Sequence, residues 1–341
     1  MAQNRVRIAD VADALGLSTA TVSKVIHGKT EKLSDETVKR VQQELESSGY
    51  IPNMAGILLA RNNSRIIGVV VNDNEKYEGR VLEDGFVMSS LNALSHEVNE
   101  KGYFLMIKTT SDISEIPVFA SMWNMDGLIL MGFCEADYEK LRNQMRISFV
   151  VYDGYFEKCS KVVNLVINHY DGGCQAGKYL KELGHKKALC IADNFICMDQ
   201  ERIEGFRDAF GRQGTLRWEI PKTEKERMCF YEDKYRELLK DNVTAVFAVS
   251  DFYALEFMRF LQGKGIQIPK DIQIIGFDDN MASRESNPAL TTIHQEAPLR
   301  AKTAIKCLEE MRDGAECETE IVLPVALIKR ESTGELSCQS L

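Results

Sequence analysis

The chain opens with two short amphipathic patterns within residues 8–27. In the first pattern, apolar side chains recur at three- and four-residue spacing, which places them on one face of a helix. They are Ile8, Val11, Ala12 and Leu15. Gly16 follows where a helix favours a C-terminal glycine, and Ser18 is a suitable N-cap for the second segment. The pattern therefore predicts two helices joined by a tight turn, a helix-turn-helix.

The second segment combines an apolar stripe with an outward face of small, hydroxylated and basic side chains. The stripe is Val22, Val25 and Ile26, and the outward face is Thr19, Ala20, Ser23 and Lys24. A third helix is predicted from Asp35 to Ser48, and its inward positions are Val38, Val41 and Leu45. Such a trio lays its second helix in the DNA major groove. Any amphipathic helix pair around a glycine gives the same pattern, so a purely structural pair stays open at this point.

Beyond residue 65, short apolar runs alternate with helical patterns. The runs are 66–71, 103–108, 127–131, 148–153, 188–193, 245–250 and 272–277. They are nearly continuous in apolar residues, which is typical of strands buried on both faces. Helical patterns between them include Val87 to Lys101 and Gly173 to Leu183. The alternation predicts a doubly wound parallel α/β architecture, duplicated into two lobes.

The composition fits a globular protein of two or three domains, with 341 residues, 44% apolar and 27% charged. No apolar run approaches the ~20 residues that a membrane helix needs, and the N-terminal MAQNRVRIAD is polar and charged. We therefore expect a cytoplasmic protein with no membrane partner. The nine cysteines form no C-x-x-C pair and the five histidines are isolated, so we expect reduced thiols, no metal and no other cofactor.

The net charge of −9 argues against a nucleic-acid partner, but the distribution of charge does not. Residues 1–65 hold nine Lys/Arg and seven Asp/Glu, a balance of +2, so the remaining 276 residues carry −11. Positive potential is therefore confined to the N-terminal part, and the acidic remainder is kept away from phosphates. Because the N-terminal part carries only a small positive charge, a dimer is favoured, since it doubles the number of contacts to DNA.

The stretch TATVSKVIHG, followed by LSDETVKRVQQELESSGYIPN, resembles the lactose-repressor/galactose-repressor family of bacterial transcription regulators. The similarity continues to about residue 334. It implies a small all-α helix-turn-helix head and a two-lobed body like the periplasmic sugar-binding proteins. The expected divisions are a head at 1–51, a hinge helix and linker at 52–65, a body at 66–334 and a tail at 335–341. Within the body, we expect an N-lobe at about 66–165 and 296–324 and a C-lobe at about 166–295 and 325–334.

The resemblance also implies which residues touch DNA. The base-reading positions are Thr19, Ala20 and Lys24, the phosphate-contacting positions are Thr21, Ser23 and Tyr50, and the minor-groove leucine is Leu59. Lys24 stands where many members have arginine, so we expect softer discrimination of guanine there. Gly56 and Ile57 stand where the family usually has alanine and arginine, which lowers the helix propensity of the hinge. Packing of the apolar hinge residues on the body is the alternative to a minor-groove role.

An effector site is expected where parallel strands end, because ligands bind beyond the carboxyl edge of such sheets. The polar residues after the apolar runs are Asn72, Asp73, Asp153, Asp193, Asn194, Ser250, Asp251, Asp278 and Asp279. By resemblance, the stretch RIEGFRDAF implies a ligand-binding arginine at Arg202, and GFDD implies a ligand-binding aspartate at Asp278. In the same way, YDG implies a cleft position at Asp153, and DGFV implies an aromatic ring against the ligand at Phe86. Asp73 and Ser250 complete the expected effector-binding set. Helix capping by the aspartates, and surface pairing of Arg202 with Glu201 or Glu204, are the alternatives.

Together with the residues above, the resemblance implies a homodimeric repressor of sugar-utilisation genes that binds a palindromic operator in double-stranded DNA. It also implies a small-molecule effector between the lobes, a sugar or sugar derivative. Ser250 and His169 replace asparagines that are usual in the family, so the sequence does not identify the effector. The alternative is a cytosolic sugar-binding sensor without DNA function, which leaves residues 1–60 unexplained. An enzyme is not expected, because neither a G-x-x-x-x-G-K-[ST] loop nor a G-x-S-x-G elbow occurs.

Overall fold

A computed structural model describes residues 6–51, 64–133, 141, 145–154 and 161–334. The chain divides into two compact units, Met1–Ser64 and Arg65–Leu341, which we call the head and the body. Within the described parts of the chain, no helix is long and apolar enough to cross a membrane.

The head contains three helices, α1 (Ile8–Leu15), α2 (Thr19–Ile26) and α3 (Asp35–Ser47). Gly16 ends α1 in the left-handed conformation, with φ of 66°, as its predicted C-terminal position requires. The Ser18 hydroxyl accepts a hydrogen bond from the Thr21 amide at 3.1 Å and so caps α2. Ser34 caps α3 in the same way. These caps confirm the predicted helix-turn-helix.

A small apolar core joins the three helices of the head. Its buried members are Val11, Ala12, Val22, Val25 and Val41. Val38 and Leu45 are half-buried against this core. The third helix therefore closes the core mainly through Val41, with its other two predicted positions at the edge.

The body contains strands that follow the predicted apolar runs, together with further strands that the runs did not indicate. In chain order, the described strands are β1 (Ile66–Val71), β2 (Phe104–Thr109), β3 (Gly127–Met131), β4 (Phe149–Tyr152), β5 (Val162–Ile167), β6 (Ala188–Ala192), β7 (Thr215–Glu219), β8 (Ala245–Ala248), β9 (Gln273–Asp278), β10 (Thr291–Gln295), β11 (Glu320–Leu323) and β12 (Val325–Ile328). The described helices are α4 (Gly85–Glu100), α5 (Glu115–Met122), α6 (His169–Glu182), α7 (Cys197–Phe210), α8 (Glu224–Lys240), α9 (Asp251–Gly263), α10 (Met281–Glu285) and α11 (Ala297–Arg312).

The strands form two six-stranded sheets, one in each lobe. The N-lobe sheet has the order β11-β5-β4-β3-β1-β2, and every pairing in it is parallel. The C-lobe sheet has the order β12-β10-β9-β8-β6-β7 and is parallel except for the β10–β12 pair. The predicted two-lobed, doubly wound architecture is confirmed.

The chain passes between the lobes three times. It leaves the N-lobe after β5, returns after β10 through α11, and crosses again between β11 and β12. Helix α11 packs on α4 and on the N-lobe strands β3, β4 and β5. Residues near the starts of α6 and α11 therefore lie at the junction of the two lobes.

One strand departs from the expectation of burial on both faces. Strand β2 lies at the edge of the N-lobe sheet, and its side chains Phe104 and Ile107 are 55% and 43% exposed. An apolar run alone does not separate an edge strand from a central one, because both have the same composition.

Candidate effector site and DNA-binding surface

A cavity of about 130 Å³ lies between the lobes of the body, at the carboxyl ends of the parallel strands. The N-lobe contributes side chains that follow β1 and β4 and side chains near the start of α4. The C-lobe contributes side chains that follow β6, β8 and β9 and one face of α7. The described polar and aromatic residues that line it include Asn72, Asn74, Lys76, Tyr77, Asp84, Phe86, Tyr152, Asp153, Asp193, Asn194, Asp199, Arg202, Ser250, Phe252, Tyr253, Asp278 and Gln295.

The structure brings together five of the six residues predicted to bind the effector. Phe86, Asp153, Arg202, Ser250 and Asp278 are among the lining residues.

Asp73 is the exception, because it is not among the described residues that line the cavity. Its neighbours Asn72 and Asn74 do line the cavity, and the amide of Asp73 donates a hydrogen bond to the carbonyl of Thr110 at 3.3 Å. Alternate residues of an extended chain face opposite sides, so Asn72 and Asn74 face the cavity and Asp73 between them does not. The expected position of Asp73 on the cavity wall is therefore wrong.

Asp153 is the centre of a buried ion-pair network at the junction of the lobes. Its carboxylate oxygen Oδ1 lies 2.7 Å from Nη2 of Arg300 and 2.8 Å from Nε2 of His169. Asp153 follows β4 and Arg300 lies on α11, both in the N-lobe, whereas His169 begins α6 of the C-lobe. Asp153 adopts a positive φ of 55°, a conformation that aspartate tolerates better than most residues.

The network continues from His169 to the predicted ligand-binding arginine. Arg202 donates from Nε to Nδ1 of His169 at 3.1 Å and from Nη1 to the carbonyl of Val249 at 2.5 Å. Because Nδ1 accepts a hydrogen bond, the imidazole carries its proton on Nε2 and donates it to Asp153. Arg202 is 4% exposed, and its guanidinium lies 3.8 Å from the centre of the Phe277 ring. The surface alternative for Arg202 is therefore wrong.

Burial and the neighbouring charges set the protonation of this network. Burial by itself disfavours the charged form of Asp153, but the Arg300 guanidinium and His169 hold the pKa of that carboxyl well below its usual range. Burial lowers the pKa of His169 to about 4, and the opposing Asp153 carboxylate does not reverse the effect. At neutral pH the network therefore consists of one carboxylate, a neutral imidazole and two guanidinium groups.

The depressed pKa of His169 predicts a pH-dependent contribution to the stability of the body. An unfolded histidine titrates near 6.5 and the folded one at about 4, so between these values only the unfolded chain binds the proton. The free energy of unfolding of the native protein should fall by about 3 kcal/mol relative to a His169→Asn variant as the pH is lowered through this window. Urea unfolding of both proteins across this pH range measures the difference, and parallel curves would contradict the assigned neutral histidine.

The other carboxylates of the cavity are shifted in the opposite direction. Burial raises the pKa of Asp199 to about 6, with Arg202 opposing and Asp193 adding to the shift. Burial also raises the pKa of Asp278 well above its usual range. Asp278 accepts a hydrogen bond from Nε2 of Gln295 at 2.6 Å. Perturbed carboxyl groups of this kind cluster at functional sites.

Sequence reasoning missed several residues of this site. Lys76 and Tyr77 lie in a short 3₁₀ turn, Glu75–Tyr77, and Asp199 lies on α7 one turn before Arg202. Arg300 was also missed, although it is 2% exposed. Its position could have indicated a role in the site, because Arg300 lies near the start of α11, where the chain crosses between the lobes for the second time.

The head presents the residues that the resemblance assigned to DNA. Thr19, Ala20 and Lys24 are exposed on α2, while Thr21 and Ser23 are half-buried. Tyr50 packs against the apolar core of the head. Leu59, Gly56 and Ile57 lie outside the described residues.

Comparisons with known proteins agree with this architecture. The model of the lacI family of bacterial regulatory proteins matches residues 7–53, and that of the periplasmic binding protein-like domain matches residues 178–333. The HTH-type transcriptional repressor PurR of Vibrio atlanticus (strain LGP32) is 31% identical over 319 residues, which cover 89% of this chain and 91% of that protein.

Two solved structures show the same fold. The Lac repressor dimer bound to operator and the anti-inducer ONPF aligns with a TM-score of 0.82 at 22% identity, over 98% of this chain and 100% of that chain. A lacI-family regulator from Enterococcus faecium with bound ribose aligns with a TM-score of 0.66 at 25% identity, over 80% of this chain and 100% of that chain.

A helix-turn-helix head and a two-lobed ligand-binding body in one chain define an effector-controlled, DNA-binding transcriptional repressor. This architecture and the 31% sequence identity to PurR of V. atlanticus over most of both chains show the family. The chain belongs to the lacI family of bacterial regulatory proteins.

Proposed function

We propose that this repressor binds a two-fold symmetric operator as a homodimer in the cytoplasm, reading base edges through Thr19, Ala20 and Lys24. The observation that carries the proposal is the exposed face of α2, which offers these three side chains on a helix fixed by the Ser18 cap. Thr21, Ser23 and Tyr50 are proposed to contact phosphates, which set the register of the helix on the duplex. Leu59 is proposed to enter the minor groove from the 52–65 hinge.

Exposed apolar side chains of the N-lobe support the homodimer. They are Phe104 and Ile107 on the edge strand β2 and Val118, Met122 and Trp123 on or directly after α5, which follows that strand. Large exposed apolar side chains are often covered at protein–protein interfaces. Pairing of two bodies through these side chains would give one repressor two heads.

Selection from a pool of random DNA duplexes tests this proposal. The full-length protein should enrich a palindromic sequence with two half-sites, because a dimer repeats its contacts about a two-fold axis. Enrichment of an asymmetric site would contradict the homodimer, and recovery of unrelated sequences would contradict base reading by α2.

Lys24→Ala is expected to relax the preference at one symmetric base pair of each half-site by about tenfold, because a lysine on a base edge supplies discrimination of that order. Lys240→Ala, an exposed lysine on α8 of the body, is the matched control and should leave the preference unchanged. Binding to single-base variants of the selected operator measures the effect. Equal weakening on all sequences would make Lys24 a phosphate contact instead.

For the effector, we propose a sugar or sugar derivative that binds between the lobes and is not transformed there. The cavity supplies what a sugar ring needs: acceptors in Asp278 and Asp153, a guanidinium donor in Arg202 and an aromatic face in Phe86. The ribose bound to the E. faecium structural neighbour supports this class. The genes controlled are proposed to serve use of that compound.

The effector would act through the relative position of the lobes. It touches the Asp153 side of the cavity in the N-lobe and the Arg202 side in the C-lobe, and these side chains already belong to one network. A ligand can change DNA affinity only by the difference between its affinities for two arrangements of the lobes. We therefore expect ligand binding in the cavity to change the DNA affinity only as far as it shifts this network.

A further inference from the structure

The cavity between the lobes contains more carboxylates than cationic groups. Asp153 is neutralised by Arg300 at 2.7 Å, so it adds no free negative charge. Four further carboxylates line the cavity, namely Asp84, Asp193, Asp199 and Asp278. Two cationic side chains lie among the described lining residues, Lys76 and Arg202. The acidic groups on the wall therefore outnumber the cations, and burial raises the pKa of Asp84, Asp199 and Asp278.

Two of these carboxylates lie side by side on the C-lobe wall. The side-chain amide of Asn194 donates to Oδ1 of Asp193 at 3.0 Å and to Oδ2 of Asp199 at 3.1 Å. One amide nitrogen therefore holds both carboxylates, and each retains further acceptor capacity. The first follows β6 and the second lies on α7, so both are fixed by regular elements and not by a loose loop.

The same wall already accommodates an ammonium group. Nζ of Lys76 lies 5.1 Å from the centre of the Tyr77 ring and 5.7 Å from that of Tyr253, within the range of cation–π attraction. Its charge also interacts with the carboxylates of Asp193 and Asp199. Lys76 belongs to the N-lobe and Tyr253 to the C-lobe, so this contact spans the cavity.

Two buried tyrosine hydroxyls on the cavity wall are left without a partner among the described residues. They belong to Tyr152 and Tyr253, which are 2% and 0% exposed. A buried polar group without a hydrogen bond is costly, and a ligand that reaches it removes the cost. These hydroxyls are therefore available to hydrogen-bond a polar ligand in the cavity.

We propose that the effector carries a protonated amine besides its hydroxyl groups, and that Asp193 and Asp199 bind the ammonium. The inference rests on the proposed function, since it identifies the chemical class of the effector for the same cavity. A sugar or nucleoside with a basic nitrogen supplies a cationic donor that the neighbouring Asp193 and Asp199 can accept. A phosphorylated or carboxylated compound adds negative charge to a wall whose acidic groups already outnumber its cations, so we expect it not to bind.

Matched sets of three compounds test the charge preference. Each set comprises a neutral parent (ribose, glucose, galactose or mannose), its amino-deoxy derivative and its phosphate ester. Thermal shift with the full-length protein near neutral pH, at up to about 10 mM compound, shows binding by mass action. Calorimetry then gives the affinity of each compound that raises the melting temperature.

We expect an amino derivative to bind at least about tenfold more tightly than its neutral parent, and the phosphate ester not to bind. Asp199→Asn should abolish the difference between amine and parent. Asp233→Asn, an exposed carboxylate on α8, is the matched control for loss of one negative charge. Equal or tighter binding of a neutral parent or phosphate ester overturns the proposal, and so does the absence of a shift with every amine.

The outcome is distinguishable from failure of the proposed function. A protein that selects a palindromic operator but prefers neutral or phosphorylated compounds refutes the ammonium site alone. A protein that binds the amine through Asp199 but selects no DNA sequence keeps the site and refutes the operator proposal.

Discussion

Gly173→Ala is expected to destabilise the body by more than about 3 kcal/mol and to abolish effector binding. Helices α6 and α7 pack backbone against backbone at this point. A Cβ added at Gly173 would lie 1.9 Å from the carbonyl oxygen of Arg202 and 2.8 Å from the amide nitrogen of Phe206. Backbone atoms cannot rotate away as a flexible side chain can, so the two helices would have to separate.

The same contact explains Gly205, the glycine of the stretch RIEGFRDAF. A Cβ at Gly205 would lie 2.0 Å from the carbonyl oxygen of Tyr170, which is the reciprocal approach of α7 to α6. Separation of the helices would move Arg202 away from His169 and from the cavity. The loss of stability and the loss of binding should therefore occur together.

Gly263→Ala is the matched control for Gly173→Ala. Gly263 is also a helical glycine, at the end of α9, but no described atom outside its own helix backbone lies within 4 Å of a Cβ placed there. Its replacement should leave the melting temperature unchanged or raise it slightly, because alanine loses less conformational entropy than glycine. Urea unfolding of the three proteins measures the difference, and equal stabilities would refute the close helix contact.

Arg300→Met should cost about 3–5 kcal/mol of stability, because it leaves the buried Asp153 carboxylate without its guanidinium partner. Arg300 and Asp153 are 2% and 4% exposed at the side chain, so water cannot replace the lost interaction. The guanidinium also donates to the carbonyl of Leu165 at 2.9 Å and lies 4.2 Å from the centre of the Tyr152 ring. Methionine retains the apolar stem but none of these donors.

A second substitution and a control separate the buried charge from loss of packing. The double variant Asp153→Asn/Arg300→Met should recover part of the stability, since asparagine tolerates the positive φ and carries no charge. Lys306→Met removes a cation from the same helix, where the pair with Glu310 is 70% and 36% exposed, and should cost less than about 1 kcal/mol. Equal losses for Lys306→Met and Arg300→Met would contradict the buried ion-pair network.

Local signals in the sequence predict the head and the centres of both sheets. Glycine at a helix end, serine caps and a three- and four-residue apolar spacing are decided within a few residues, and the structure reproduces them at Gly16, Ser18 and Ser34. The apolar runs at 66–71 and 127–131 coincide with β1 and β3 because central parallel strands are buried on both faces.

The predicted apolar runs do not include five of the described strands, all at or next to a sheet edge: β5, β7, β10, β11 and β12. Strands β7, β11 and β12 are exposed on part of their surface and so have mixed composition. Strand β12 even pairs in the antiparallel sense, which no run of apolar residues indicates. Their placement depends on the chain crossing between lobes, a property of the whole fold.

The sequence predicts individual residues of the candidate site but not the contacts between them. Motifs similar to those of the family gave Arg202 and Asp278, but the partner of Asp153 lies on a helix almost 150 positions later in the chain. The replacement of asparagine by His169 looked like a simple departure from the motif, yet this histidine links the two lobes through hydrogen bonds of 2.8 and 3.1 Å. Such partners follow from the tertiary fold and not from spacing.

The affinity of the full-length protein for its selected palindromic duplex, measured by fluorescence anisotropy at increasing salt, tests the central claim most directly. Because the exposed face of α2 is proposed to work alongside phosphate contacts, the affinity should fall linearly with salt on a logarithmic scale, and removal of residues 1–65 should abolish it. Failure to bind any symmetric duplex at low ionic strength, or equal binding after that removal, would contradict the assignment of DNA recognition to the head.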